Sequence, residues 1–153
     1  MDTEFERAEE VRHRVIGCAI EVHRQLGPGL LEAAYADCLV IECRHQALNV
    51  ETDQHVPLIY RGQRIRSDFK MDILVEDLVV VELKAVAAIA PVHVAQLITY
   101  LKLTDRPAGV LLNFNVELMK NGIRRIDHPK FYVARPRKDE RAQPPNTSSP
   151  ELT

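Results

Sequence analysis

The stretch that decides the fold is DILVEDLVVVELK, Asp72 to Lys84. It opens on an acid, breaks at Glu76-Asp77 and closes in an alternating run that carries Glu82 and Lys84. Successive side chains of a β-strand point to opposite faces, so Glu82 and Lys84 share a face with Val80, while Val79, Val81 and Leu83 take the other. The second set can be buried directly. The first puts two charges on a Val-rich strand, where Glu and Lys are depleted and a buried charge is costly unless something compensates it. That conflict marks the strand as a candidate site.

Register decides whether the acids meet. In a hairpin with an odd-length loop centred on Asp77, Asp72 lies directly opposite Glu82. A two-residue Glu76-Asp77 loop would pair Asp72 with Val81 instead. Two-residue hairpins favour Asn-Gly-like turns, which are absent here, so the odd-length or bulged loop is expected.

Upstream, the strand that reaches Asp72 places Ile65, Phe69, Met71, Ile73 and Val75 on one face and Arg64, Arg66, Asp68, Lys70 and Asp72 on the other. Asp68 is the alternative to Asp72, ranked lower because it lies farther from the Glu82 register. Val50 to Tyr60 alternates as a strand, with Pro57 pushing part of it to an edge, and Arg61-Gly62 supplies a turn. Glu4 to Leu26 reads as a helix with a stripe of Val11, Val15, Cys18, Ala19, Val22 and Leu26, stopped by Gly27-Pro28. Gly29 leads into a second helix, to about Ala47, buried through Leu31, Tyr35, Cys38 and Leu39. Glu32 belongs to that inward face or borders it.

Downstream, Pro91 suits the first turn of a helix running to about Leu103, with Val92, Ala95, Thr99 and Leu103 as its expected stripe. Gln96 and Tyr100 lie one above the other on it, with His93 just before them. His93 is read as a surface or supporting residue. GVLLNF, Gly109 to Phe114, is typical of a strand buried on both faces, and a last strand is expected around Ile123–Ile126.

With 153 residues, 46% of them hydrophobic and 27% charged, the chain suits one soluble domain, placed at residues 1–134. Residues 135–153, RPRKDERAQPPNTSSPELT, have almost no large apolar side chain and read as a disordered tail. No apolar run approaches the roughly 18–20 residues of a membrane helix, and the acidic start is unlike a secretory signal, so a cytoplasmic protein is expected. Cys18, Cys38 and Cys43 suit buried thiols. The net charge of −2 gives nucleic-acid binding no bulk help. Arg61, Arg64, Arg66 and Lys70 form a local basic cluster, as do Arg124, Arg125 and Lys130; each alone reads as a solvated strand edge.

Glu32, Asp72, Glu82 with Lys84, and Gln96 with Tyr100 are thus drawn toward one region. An acid, then a second acid two residues before a lysine, is an arrangement that phosphodiester hydrolysis can use. Carboxylates on adjacent strands can hold Mg²⁺, a hard ion that prefers oxygen. Such an ion lowers the pKa of bound water and stabilises charge on the scissile phosphate, while a lysine positions or deprotonates the water or offsets charge. A surface hairpin with a Glu–Lys ladder explains the same residues without chemistry.

Several motifs occur in order over roughly residues 10–130: LGPG, then GLLEAAY with Gly29, Glu32 and Tyr35, then D-x(9)-E-L-K, PVHVAQLITYLKL, GVLLNF and GIRRI. This series resembles the bacterial GxxExxY family, which is placed in the PD-(D/E)xK nuclease superfamily. The resemblance implies an α/β (α+β) fold with a restriction-endonuclease-like core, a mixed central β-sheet flanked by helices, typically αβββαβ. It implies Glu32, Asp72 and Glu82 as ligands of Mg²⁺, with Mn²⁺ as a substitute, and Lys84 as the catalytic lysine beside Asp72 and Glu82. Gln96 and Tyr100 look like the Q-x-x-x-Y motif of RecB-like exonucleases and would orient the site or contact the strand. Met71 stands where the pattern has proline.

The implied function is a Mg²⁺-dependent nuclease acting on nucleic acid, DNA before RNA. The alternatives are a catalytically inactive nucleic-acid-binding or accessory module with the same fold, and a protein-interaction domain whose charged hairpin is a solvated edge. An acidic domain of this size is expected to need a homodimer or a protein partner to hold a duplex.

Overall fold

The structure, a computed structural model, describes residues 3–66 and 69–134. Asp68 and the tail at 135–153 therefore lie outside the described residues. Helices α1 (Glu4–Leu26) and α2 (Glu32–His45) come first, then strands β1 (Val50–His55), β2 (Ile59–Tyr60), β3 (Gln63–Arg64), β4 (Lys70–Val75) and β5 (Val79–Lys84). Helix α3 (Pro91–Thr104), β6 (Ala108–Asn113) and β7 (Ile123–Asp127) complete the order. Among the described residues, five strands form one sheet in the order β1-β4-β5-β6-β7, and β2-β3 is a separate ribbon. Only β5 and β6 run parallel, and α3 is the crossover that such a pair requires. This is the mixed sheet flanked by helices that the sequence led us to expect.

The alternation of β5 divides the core as its pattern demands. Val79, Val81 and Leu83 join Val15, Ala19, Val22, Tyr35 and Leu39 beneath α1 and α2. Val80 joins Leu97, Tyr100 and Leu101 of α3 on the other face. Helix α1 starts where Thr3 and Glu6 exchange side-chain to backbone hydrogen bonds, each of 3.1 Å, and it ends at Gly27, whose φ is 66°. Buried Arg12 ties α1 to the sheet by donating to the carbonyls of Gly109 and Ile126 and pairing with Asp127. All three cysteines are free, Cys18 and Cys43 buried and Cys38 partly so.

Four expectations need correction. Leu31 is 81% exposed because it precedes α2 rather than belonging to its stripe, and Leu26, the last residue of α1, is also exposed. The run Val50–Tyr60 is interrupted at Pro57, beyond the Val56 N–H bond to Phe69, and Ile59–Tyr60 belongs to a separate ribbon. The following strand is likewise broken, leaving Ile65 and Phe69 exposed, and Met71 packs on the α3 side. The α3 stripe is rotated: Leu97, Tyr100 and Leu101 are buried, whereas Val92, Ala95 and Thr99 are exposed. Apolar residues surround this helix on most sides, so the sheet selects the face. Gly109 helps, since a Cβ there would sit 3.0 Å from a Leu97 methyl.

Candidate active site

Strands β4 and β5 pair Val75 with Val79, Leu74 with Val80 and Ile73 with Val81. The loop between them, Glu76-Asp77-Leu78, has the expected odd length. Glu76 and Asp77 both adopt left-handed backbone, with φ of 53° and 56°, a conformation that needs support in non-glycine residues. Asn49 supplies it on one side, donating its N–H to Glu76 Oε1 at 2.7 Å and accepting the Glu76 N–H at 2.9 Å. Arg106 supplies it on the other, donating to the Asp77 carbonyl at 3.0 Å and pairing with the Asp77 carboxylate.

One step beyond Ile73 and Val81, this register brings Asp72 opposite Glu82, and side chains replace the ladder. The Asp72 N–H donates to Glu82 Oε1 at 3.2 Å, and the Leu83 N–H donates to Asp72 Oδ2 at 3.0 Å. Asp72 also falls at an irregular step on its other side. Strand β1 pairs Thr52 with Ile73 and Gln54 with Met71, while the intervening Asp53 has a φ of 53°. The two strands thus end in a fork whose prongs are carboxyl groups.

That fork is electrostatically strained. Glu82 is 4% exposed, and its pKa is pushed up to about 9. Burial is the main cause and the charge of Asp72 the second; a hydrogen bond shared with the Asp72 carboxyl adds to them, against the Asp72 N–H and Lys84. Lys84 is half-buried at the end of β5, on the same strand face as Glu82.

Glu32 arrives through the Gly29–Tyr35 segment, whose geometry explains its residues. Gly29 has a φ of 103°, open to glycine and strained for other residues. Tyr35 is fully buried, stacked on Phe114 with ring centroids 4.6 Å apart. Its hydroxyl donates to the Gly27 carbonyl at 2.5 Å and accepts the Leu30 N–H at 3.1 Å, locking the turn. Glu32 is then the first residue of α2. Its side chain is exposed by area, yet its pKa is raised, first by partial burial and also by Asp72, with Lys84 and His93 acting against the shift. A cleft of about 500 Å³ joins Glu32 to Asp72, with Asp37, Thr52 and Asp53 also on its wall.

From α3, Gln96 Nε2 donates to the Tyr100 hydroxyl oxygen at 2.9 Å. Burial raises the Tyr100 pKa, with the charges of Glu82 and Asp72 adding to it. Those two charges place Tyr100 within electrostatic reach of the fork. His93 Nδ1 accepts the Ala90 N–H at 3.0 Å, at the start of the helix.

Sequence reasoning missed Asn113. This buried side chain accepts the N–H groups of Val86 and Asn115 and donates to the Val86 carbonyl, fastening the segment that follows Lys84. The signal available was a lone amide at the end of an otherwise apolar run, which must find partners when buried.

Among the described residues no three His, Cys, Asp or Glu side chains form a group able to hold a metal ion. The structure closes the Asp72–Glu82 pair and leaves Glu32 within electrostatic reach of it. The donor set still fits a hard divalent cation. The two facing carboxyl groups cannot both ionise readily in these surroundings, and such an ion would supply the charge that lets them do so.

The fold is a mixed sheet in which an acid on one strand faces an acid-x-lysine on the next. The chain belongs to the PD-(D/E)XK nuclease superfamily, whose family model matches residues 9–126. Nucleases of this superfamily usually use divalent metal ions. No curated protein and no solved structure matches the chain significantly. No helix among the described residues is long and apolar enough to cross a membrane.

Proposed function

We propose that this protein is a Mg²⁺-dependent nuclease of the GxxExxY type that hydrolyses phosphodiester bonds in DNA. The observation that carries this is the fork, in which Asp72 and Glu82 are fixed by each other's strands and Glu82 is held far above the ordinary carboxylate range. Asp72 and Glu82 would hold the ion, with Glu32 completing its ligands from α2. When bound, the ion supplies a water of lowered pKa and offsets charge on the scissile phosphate.

Lys84 follows Glu82 on the same strand face. It would place a positive charge beside the fork, where it can orient the attacking water and offset charge on the phosphate oxygens. Tyr100, with its oxygen engaged by Gln96, directs its O–H toward a carboxylate or a phosphate oxygen. The preference for DNA is supported by the likeness of the Gln96–Tyr100 pair to that of RecB-like exonucleases.

The test is cleavage of a labelled oligonucleotide with Mg²⁺ or Mn²⁺ by the wild type and by Asp72→Asn, Glu82→Ala and Lys84→Ala. Each variant should remain folded and lose metal-dependent cleavage. Undiminished activity in all three would remove the fork from the chemistry. Binding without cleavage by the wild type would favour the inactive nucleic-acid-binding module.

A further inference from the structure

The β2–β3 ribbon takes no part in the core or the fork, yet it is built with care. Arg61 and Gly62 at its tip have φ of 48° and 76°, the mirror-image two-residue turn that matches strand twist. Ile59 pairs with Arg64 and Tyr60 with Gln63, and the Ile65 N–H donates to the Leu58 carbonyl at 2.9 Å. At its base the Val56 N–H donates to the Phe69 carbonyl at 2.8 Å, continuing the β1–β4 pairing past His55 and Lys70.

Three observations give it a direction and a partner. The ribbon leaves the sheet where β4 begins and β5 ends, which is the end that carries Asp72, Glu82 and Lys84. The Phe69 ring lies 6.4 Å from that of Tyr100, joining ribbon base to site. Its charge is opposite to that of the chain: Arg61, Arg64, Arg66 and Lys70 are exposed, in a protein of net charge −2, and none forms an ion pair among the described residues.

The apolar side chains narrow the partner. Ile59 and Tyr60 are both 65% exposed, on opposite faces of the ribbon, with Ile65 exposed on the Tyr60 face and Arg64 beside Ile59. A cleft of about 530 Å³ lies at the base of the ribbon, lined by His55, Pro57, Arg64, Ile65 and Arg66 among others. Duplex phosphates would engage the arginines and leave this apolar surface in water. An unpaired strand crossing the ribbon edge offers base faces to Tyr60 and Ile65 and phosphates to Arg64 and Arg66.

We propose that the β2–β3 ribbon is a docking arm for an unpaired nucleic-acid strand, which it leads toward the fork. That direction rests on the nuclease function proposed above; the binding does not. Strand binding is read by fluorescence anisotropy of the full chain in chelator, so that no cleavage intervenes. The probes are labelled deoxy- and ribo-oligopyrimidines of about 15 nucleotides and a duplex of the same length.

The unpaired strand should bind roughly tenfold tighter than the duplex, and Tyr60→Ala should weaken it at least about fivefold while leaving duplex binding unchanged. Arg61→Asn with Arg64→Gln should flatten the dependence of log affinity on log salt by about 1.4, two phosphate contacts on a single strand. Asparagine suits the left-handed backbone at position 61, and the other sites are exposed, so melting temperatures should stay at the wild-type value. Equal affinity for duplex and unpaired strand, or affinities untouched by both variants, would overturn the arm. Preference between the deoxy and ribo probes identifies the sugar it accepts. A wild type that binds as described but cleaves none of the three probes with metal contradicts the nuclease and leaves the arm standing.

Discussion

Asp72 and Glu82 end the β4–β5 ladder by each accepting a backbone N–H from the other's strand, Leu83 to Asp72 at 3.0 Å and Asp72 to Glu82 at 3.2 Å. The same two bonds that hold the carboxyl groups in place hold them together, and burial then makes their combined charge unfavourable. A structural salt bridge would have placed a cation between them. Here the strand geometry is complete and the charge balance is not.

Neutral isosteres separate geometry from charge. Asp72→Asn and Glu82→Gln retain a carbonyl oxygen for the same N–H donors, and each removes one of two groups that ionise together only at a cost. Metal-free melting temperatures at pH 8 should equal or exceed the wild type, while metal-dependent cleavage falls by about a hundredfold or more. A melting temperature lowered by several degrees would show that the paired carboxylates stabilise the fold, contrary to this account.

Stability should fall with pH in chelator. Glu82 titrates near 9 in the folded chain against an ordinary value of 4.5, so between these limits the folded state holds a proton that the unfolded state has lost. The contribution is fully present below pH 4.5 and is lost as pH rises through about 9, with a slope of at most about 1.4 kcal/mol per pH unit. Denaturant titrations from pH 5 to 9 check it. The wild type should lose stability relative to Glu82→Gln across that range, and a constant difference would contradict the shift.

Tyr35→Phe tests the turn that presents Glu32. The ring still stacks on Phe114, but the hydrogen bonds to Gly27 and Leu30 go, at a cost of about 1–2 kcal/mol by denaturant unfolding. Cleavage should weaken as well, because Glu32 leaves a turn no longer fixed. Gly29→Ala strains the same turn through its φ of 103°, by about 1–3 kcal/mol.

Lys84→Met keeps most of the side-chain stem and removes the charge. Stabilisation by metal should persist, since the carboxylates remain, while cleavage falls by about a hundredfold. Equal cleavage would exclude Lys84 from the chemistry; loss of metal stabilisation would assign it to the architecture of the ion site.

The β4–β5 relationship was legible because it depends on parity: an odd loop centred on Asp77 fixes which residues face each other, and strand alternation assigns the faces. The same local logic placed α1, and it brought Gln96 and Tyr100 one turn apart. It failed where the deciding partner lies far along the chain. The buried face of α3 is chosen by Val80, Leu111 and the open space at Gly109. Arg12 is buried because the carbonyls of Gly109 and Ile126 await it, and Asn113 because Val86 does. The carbonyls that hold Arg12, and the Val86 groups that hold Asn113, lie far along the chain, beyond the reach of a local pattern.

The most direct test of the central claim, that the Asp72–Glu82 fork is a divalent-cation site, is the melting temperature with and without saturating Mg²⁺ or Mn²⁺. An ion that binds only the folded chain stabilises it by about 2.7 kcal/mol at a hundred times its dissociation constant. The wild type should therefore melt several degrees higher with metal, and Asp72→Asn should not move. A wild type indifferent to both ions, or an Asp72→Asn variant that shifts as far as the wild type, would contradict the account.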